Sequence, residues 1–457
     1  MIFIPLNDTT EARYGEIARI MLETGNWVTP MQAYGEPFWA KPPLSMWMQA
    51  FSMKCFGVNA FAARLPALLL SLGVLGLVWL LADKQKGRFF AICSAVVLAG
   101  SPFFFLSAGT VMTDPYLLFC LTLCMVSFWL SVAKSERLWG YLFFVGLGLG
   151  LLAKGPLIGV LVGFPILIWT IKQNAWRAIW TNLPWCSGVL LMLCIAMPWY
   201  IWAELKTPGF LNYFIVGEHI SRFLEPGWQG DKYGFAHKAP LGMIWIYALI
   251  GVIPWVIYGV IGLIKSRKSI QLNFKWLNDD GWLSYLLFFM LTPLLFFTMA
   301  RNIIYPYCFP FLPAFALLFS ELLVSVLAKK SNLMYPVAAI VGVIFLVGTG
   351  LFVIKPVWVE KSQYRVISSW REHSVMSDPL IYWADKTEYS ARFYSHGQVK
   401  STHDPLQLSA WLAVRHPQYL VVNARDLNQI PTEIQHRLHR IEQIQILKQS
   451  MVLFKTK

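Results

Sequence analysis

Charge is what this sequence has least of. Asp, Glu, Lys and Arg make up 14% of its 457 residues, against 57% hydrophobic. A soluble domain carries about 25% charged residues. With many long apolar runs, the deficit excludes an ordinary soluble enzyme and indicates a polytopic membrane protein. Cysteine is also scarce: Cys55, Cys93, Cys120, Cys124, Cys186, Cys194 and Cys308. All but Cys55 lie in or beside apolar runs. Cys120 and Cys124 stand one helical turn apart inside a run with no histidine nearby, so they read as small packing residues. Neither a disulfide framework nor a zinc knuckle is suggested. There is no Gly-rich phosphate loop and no defensible Ser-His-Asp order. No internal repeat is obvious, and the apolar runs lack a pair of charged, broken helices at mid-depth, so an inverted-repeat transporter finds little support. Acidic residues are the minority, 24 against 38 basic, for a net charge of +14. Nucleic acid is the usual partner of a basic chain, but the bias of lysine and arginine toward cytoplasmic loops accounts for this excess more simply.

Long apolar segments are abundant. About ten are long enough, or nearly so, to cross a bilayer: 61–82, 89–110, 113–133, 139–153, 155–171, 184–204, 240–264, 282–299, 303–328 and 333–354. The fourth and fifth are separated by Lys154-Gly155-Pro156 and read as a tight helical hairpin. Every second loop is basic: Lys84, Lys86 and Arg88; Lys134 and Arg137; Lys172 and Arg177; Lys265, Arg267, Lys268 and Lys275; Lys329 and Lys330. The positive-inside rule puts these loops in the cytoplasm. The others, including 205–239 and everything after 354, then face outward. Parity places residues 1–60 outside as well. Met1 to Leu6 is too short for a span or a signal peptide. The expectation is a missing preceding helix, or late crossing drawn by the helix at 61–82.

Residues 12–23 carry Ile17, Ile20 and Met21 on one face, with Arg13, Glu16, Arg19 and Glu23 mostly on the other. That pattern predicts an interfacial amphipathic helix. A second helix is expected from Leu44 to Phe56, after Pro42-Pro43. Residues 1–357 thus form the membrane domain, with outer loops at 1–60 and 205–239 and spans over 61–354. From 358 to 457 the composition becomes that of a small soluble α/β domain. Strands are expected at Leu380–Trp383 and Tyr419–Val422, helices at Leu406–Arg415 and Thr432–Ile441, and a hairpin from Ile444 to Lys455.

Topology brings a short list of polar residues to the outer face: Asp8, Glu11, Arg13, Lys41, Asp114, Lys154, Glu218, His219, Arg222 and Arg301. Ionisable groups at a membrane boundary are costly and point to function. Each also has a plainer reading. Asp114, before Pro115, suits a helix cap. Lys154 can snorkel. Glu218 and Arg222 suit an i, i+4 ion pair. Lys41, held extended by the following prolines, is either an interface anchor or a ligand for an anionic headgroup. His219 could ligate a metal or meet a phosphate.

Several motifs occur together and in order. They are Asp8-Thr-Thr-Glu11-Ala-Arg13-Tyr14, Phe38-Trp-Ala-Lys41-Pro-Pro, Ala62-Ala-Arg64-Leu-Pro66, Thr113-Asp114-Pro115, Leu152-Ala-Lys154-Gly155, Glu218-His219-Ile-Ser-Arg222-Phe223 and Arg301-Asn302-Ile-Ile-Tyr305-Pro306. This set resembles the bacterial aminoarabinose (lipid A) transferases, a branch of the protein mannosyltransferase-like glycosyltransferases. The resemblance implies an all-α, GT-C-like membrane domain of about ten or more transmembrane helices with amphipathic outer-face helices, followed by a small soluble α/β domain. It implies transfer of a sugar, aminoarabinose-like or hexose, from a polyprenyl-phosphate donor to lipid A or another envelope acceptor. Its partners would be that donor, a lipid or glycan acceptor and membrane lipids, with no nucleic acid. A flippase of lipid-linked sugars is the alternative. The resemblance offers Asp8, Glu11 and Asp114 as catalytic carboxylates, with Asp8 preferred in the first loop. It gives Arg13, Lys41, Lys154, Arg222, Arg301 and Tyr305 to the donor phosphate. A divalent metal would rest on His219 and Glu218. Two positions depart from the family pattern: Thr10 stands at its aspartate, and Ala40 at its glutamate before the lysine.

Overall fold

The computed structural model describes residues 3–234, 237–265, 281–327, 334–354, 360–375, 378–413, 417–447 and 449–457. Two short outer helices, α1 (Thr10–Thr24) and α2 (Leu44–Phe56), precede the bundle, and a small ribbon, β1 (Met31–Ala33) with β2 (Glu36–Pro37), lies between them. Then follow α3 (Ala60–Lys86), α4 (Arg88–Ala99), α5 (Pro102–Gly109), α6 (Asp114–Val132), α7 (Arg137–Lys154), α8 (Leu157–Gln173), α9 (Trp176–Asn182) and α10 (Trp185–Lys206). Later helices cover Met243–Gly251, Ile253–Lys265, Trp282–Thr298, Leu312–Leu327 and Met334–Ile354.

Among the described residues, 5 helices are long and apolar enough to cross a membrane, or up to 7 if each bent pair is one span. Both bends have a cause in the sequence. The chain turns by 70° between α4 and α5 at Gly100-Ser101-Pro102, and by 82° at Val252-Ile253-Pro254. The apolar segments expected to span are mostly helical where described, with breaks at 100–101, 252 and 303–304. Arg267, Lys268, Lys275, Lys329 and Lys330 of the expected basic loops lie outside the described residues.

α6 is the axis of the bundle, buried along almost its whole length. Its residues are apolar or small all round, as a helix with no solvent face requires. Helices in a bilayer gain little from apolar burial and associate through close packing. Gly146 of α7 supplies that closeness: a Cβ there would sit 2.7 Å from the Cys124 sulfur. Cys120 and Cys124 are buried packing residues, as their spacing predicts. Across the bundle, the Tyr285 hydroxyl donates to the Met125 carbonyl at 2.6 Å.

The ends of the bundle differ. At one end, where basic loops are expected, Lys84 pairs with Glu136 at 2.7 Å and Lys86 with Glu321 of the Leu312–Leu327 helix at 2.6 Å. The charged outer-face residues collect at the other.

The C-terminal domain holds a five-stranded sheet in the order β4-β3-β5-β7-β6. β3 (Leu380–Trp383) lies parallel to β4 (Val399–Thr402) and to β5 (Tyr419–Asn423). β7 (Gln449–Thr456) runs antiparallel to β5 and to β6 (Leu438–Ile446). The helix expected over Thr432–Ile441 is a correction: only Thr432–Gln435 is helical, and β6 begins at Leu438. The three-residue spacing of Leu438, Ile441 and Ile444 imitates a helix. A bulge between Arg440 and Glu442 shifts the register, so Leu438 and Ile444 fall on opposite faces of the sheet. Each is buried in the core on its own face, Leu438 with Ile381 and Leu420 and Ile444 with Leu380 and Tyr419.

The amphipathic outer helix is a second correction. Glu16 and Arg19, expected on the wet face of α1, are 1% and 3% exposed. The C-terminal domain covers that face. Gly15 lies against Phe393, and Arg19 lies beside Gly397. Arg19 stays charged in this burial because Glu16 takes two of its N–H groups, at 2.7 and 2.9 Å.

Candidate active site

The loop before α2 carries Lys41. Pro42, which follows it, disfavours a helical backbone at Lys41, and Tyr233 of the 205–239 loop fixes the stretch just upstream. The Trp39 N–H donates to the Tyr233 hydroxyl at 2.9 Å, and that hydroxyl donates to the Pro37 carbonyl at 2.9 Å. The Phe38 ring rests on the Tyr233 ring, with centroids 4.7 Å apart. Lys41 so held reaches Glu218 at 2.7 Å.

Glu218 lies on a π-helical stretch, Asn212–Ser221, whose wide turn is a frequent mark of functional sites. Its side chain is 2% exposed. Arg222 donates to both of its oxygens, at 3.2 and 3.1 Å, and the Tyr213 hydroxyl adds a donation at 3.3 Å. Arg222 also pairs with Asp231 at 3.3 Å. The i, i+4 ion pair read from sequence is therefore present, but it forms part of a larger network. Burial alone would raise the Glu218 pKa; Lys41 and Arg222 outweigh it and hold the carboxyl below its usual range. Burial draws Lys41 below the usual lysine range, against the pull of Glu218.

The α7–α8 hairpin brings in Lys154. It is the last residue of α7, and Gly155 makes the tip with φ +81°. Only glycine fits there: a Cβ would stand 2.6 Å from Phe214 and 3.2 Å from His219. Lys154 reaches Asp114 at 2.6 Å, with both side chains about one-tenth exposed. Asp114 occupies the first position of α6, and its carboxylate turns to Lys154 rather than capping the helix. The Lys154 ammonium also lies over the Tyr307 ring, 5.4 Å from its centre.

Lys41, Lys154, Glu218, His219, Arg222 and Tyr307 line a cavity of about 190 Å³. Its other wall is apolar and includes Leu157 and Val160 of α8 with Phe296 and Phe297 of the Trp282–Thr298 helix. One side can hold an anion, the other a hydrocarbon chain.

The remaining expected residues sit elsewhere. Asp8 turns away toward the C-terminal domain, where it accepts from the Ser390 N–H at 2.9 Å and from the Ser390 hydroxyl. Glu11 is committed to Arg64 at 2.8 Å and to the Val111 N–H at 3.0 Å, so it ties α1 to α3 and to the loop before Asp114. Arg13 stays near the rim, stacked over Tyr14 and Phe38, and donates to the Tyr233 carbonyl at 2.6 Å. Arg301 is exposed, and Tyr305 packs its ring on Phe103 and Phe309. Their motif contributes its neighbours instead. Asn302 donates to the Arg222 and Glu225 carbonyls, both at 2.6 Å, and accepts from Gly227 at 2.8 Å. Tyr307 lines the cavity. Asp231, Tyr233, Asn302 and Tyr307 were missed in sequence reading. The signal was present for Asn302, inside a quoted motif, and absent for the others.

The residues do not fit the metal suggested by His219 and Glu218. Both ring nitrogens of His219 face carbonyl oxygens, Nδ1 to Phe214 at 2.7 Å and Nε2 to Lys154 at 3.1 Å. Desolvation lowers the His219 pKa, so the neutral ring donates to one of them. Glu218 is taken by two cations, and Ala40 offers no ligand. Among the described residues, no group of three or more His, Cys, Asp or Glu is arranged to hold a metal ion.

Residues 7–214 match the model of the dolichyl-phosphate-mannose-protein mannosyltransferase family. Among curated proteins, an undecaprenyl phosphate-α-4-amino-4-deoxy-L-arabinose arabinosyl transferase of Erwinia tasmaniensis is 30% identical over 316 residues, which is 68% of this chain and 54% of the relative. One from Pseudomonas fluorescens is 29% identical over 78% of this chain and 64% of its own length. The chain is a relative of the aminoarabinose transferases. It spans about half the length of the first of these relatives, 54%. The crystal structure of ArnT from Cupriavidus metallidurans bound to undecaprenyl phosphate has the same fold, with a TM-score of 0.74 at 18% identity, covering 99% of this chain and 94% of that one. The family drawn from the motifs is thus borne out, as is its helical GT-C membrane fold.

Proposed function

We propose that the chain is an inner-membrane glycosyltransferase that moves a sugar from a polyprenyl-phosphate donor to lipid A or a similar envelope acceptor on the periplasmic face. The observation that carries this is the two-sided cavity. Lys41, Lys154 and Arg222 converge on one wall, and α8 with Phe296 and Phe297 forms an apolar wall beside them. A lipid phosphate needs both. The relatives are named for transfer from undecaprenyl phosphate-linked aminoarabinose, and the ArnT crystal holds undecaprenyl phosphate.

The donor is a phosphodiester. The acceptor oxygen bonds to the anomeric carbon as the bond from that carbon to the phosphate oxygen breaks. Charge then builds on the departing phosphate, where Lys41, Lys154 and Arg222 would stabilise it. Asp114, the partner of Lys154, would orient the acceptor or take its proton. When the acceptor is itself an ionised phosphate, no proton has to be removed. Asp8 and Glu11 support the site through the first outer loop. About ten spans, with the cluster and the C-terminal domain on the outer side, agree with the charge parity of the loops. Among the described residues, the buried Asp, Glu, Lys and Arg side chains of the membrane domain lie toward the cluster end, which favours transfer over flipping through the bilayer.

The test is mass spectrometry of lipid A and surface glycans from cells expressing the chain or Lys41→Ala. Loss of the modified species with normal membrane insertion is expected. Full modification by the variant would remove Lys41 from the site.

A further inference from the structure

Glu218 occupies the place where a phosphate-binding site would ordinarily keep its positive charge uncompensated. Its carboxylate lies between Lys41 at 2.7 Å and Arg222 at 3.1 Å. Asp231 takes Arg222 from another side, and Asp114 takes Lys154. Lys41, Lys154 and Arg222 are thus matched by Glu218, Asp231 and Asp114. Arg13 has no carboxylate partner among the described residues and adds one positive charge near the rim; its described polar contact is the Tyr233 carbonyl. Lys232, exposed, lies over the Trp39 ring at 4.4 Å. The buried part of the site is charge-balanced, and its rim is weakly positive.

Such a site favours a singly charged over a doubly charged ligand. On the donor reading given above, the reaction changes the charge of the lipid. The donor phosphodiester carries one negative charge. When the bond from the anomeric carbon to oxygen breaks, that oxygen keeps the electron pair, and the product is a phosphomonoester. With a second pKa near about 6, a phosphomonoester bears close to two negative charges above neutrality. The acceptor proton passes to a carboxylate or to the phosphate itself, so the step needs no further reactant.

We propose that Glu218 is a built-in counter-anion that lets the site hold the lipid phosphodiester while disfavouring the lipid phosphomonoester, and so promotes product release. The phosphate groups of both ligands meet the same cations. What differs is the second negative charge, which faces a carboxylate fixed within reach. At partly screened separations of several ångströms a unit charge shifts affinity by about tenfold or more.

The experiment uses the full chain in lipid nanodiscs and follows tryptophan fluorescence at pH 8. The probes are undecaprenyl phosphate and its methyl phosphodiester. The wild type is expected to bind the diester at least as tightly as the monoester. Glu218→Gln keeps a hydrogen-bond acceptor and removes the charge, and should shift the affinity ratio toward the monoester by about tenfold. A second measurement needs no variant: on lowering the pH to 5 the monoester loses its second charge, and the wild-type ratio should move the same way. Binding of both probes with a ratio unmoved by the substitution and by pH would overturn the role of Glu218 and leave the donor reading standing. Failure of the wild type to bind either probe would overturn the donor reading, and this inference with it.

Discussion

Asp8 and Glu218 are both carboxylates drawn out of water, and their surroundings push their pKa values in opposite directions. Glu218 is met by Lys41 and Arg222, which hold it ionised despite its burial. Asp8 is met by Ser390, with Glu388 nearby and Lys361 only a weak counterweight. Desolvation first, and Glu388 second, push the Asp8 pKa up to about 7. Hydrogen bonds from a hydroxyl and one backbone N–H do not replace a cation. The difference separates the two regions by function. The Glu218 network is a set of charges that a charged ligand can redistribute. The Asp8 contact is a joint between α1 and the C-terminal domain, alongside the Leu6 N–H donation to the Tyr394 hydroxyl at 2.7 Å and the Lys361 N–H donation to the Asn7 side chain at 2.8 Å.

The comparison breaks most visibly at Lys41. Its removal leaves Glu218 buried with one cation fewer and, under the proposed function, takes a donor from the developing phosphate charge. A loss of transfer of about a hundredfold or more is expected, read from the modified lipid A. Equal loss in Asp8→Asn would show that the two carboxylates do not divide the work as described.

Asn302 tests the frame around the cluster. It serves two carbonyls and one N–H in the segment that carries Arg222. Asn302→Ala should cost about 1–3 kcal/mol of stability, measured by thermal unfolding in detergent, because buried partners are left unpaired. An unchanged midpoint would mean that the loop is held by other contacts.

Asp8 gives the pH-dependent prediction. Its pKa is raised in the docked state, so its contribution to docking is full below the ordinary carboxylate range. That contribution is lost as pH rises through about 7. The groups facing it are Glu388, Ser390 and Lys361, with the phenols of Tyr382 and Tyr389 nearby. Hydrogen exchange of residues 3–14 and 387–395, corrected for intrinsic rates, should show protection falling between pH 5 and 8. Asp8→Asn should flatten that profile. A wild-type profile that is already flat would contradict the protonation of Asp8.

The smallest effect is expected at Arg301. Its side chain is exposed and away from the cavity, so Arg301→Ala should leave transfer within about twofold. A large loss would restore it to the phosphate site.

Much of this was legible in the sequence, for reasons that differ by residue. Apolar length located the helices, because a segment that crosses a bilayer has to satisfy its backbone internally. Loop charge gathered Lys41, Asp114, Lys154, Glu218 and Arg222 at one end, and the structure places them around neighbouring ion pairs. Which carboxylate meets which cation was not legible. Asp8 lies close to Arg13 in sequence, yet it faces a serine 382 residues away. Periodicity also cannot announce that a second domain will cover a polar face, which is why Glu16 and Arg19 read as solvated. Tyr307 lies two residues beyond Tyr305, and the 3₁₀ turn Tyr305–Phe311 decides which ring enters the cavity.

Under the proposed function, Lys41, Lys154 and Arg222 hold the phosphate of a lipid whose chain runs along α8. Photo-crosslinking tests it most directly, with undecaprenyl phosphate carrying a diazirine near its phosphate end and the attached residues mapped by mass spectrometry. Attachment at Leu157, Val160, Phe296 or Phe297, reduced in Lys41→Ala, is the predicted result. Attachment spread over other faces of the bundle, and indifferent to Lys41, would contradict it.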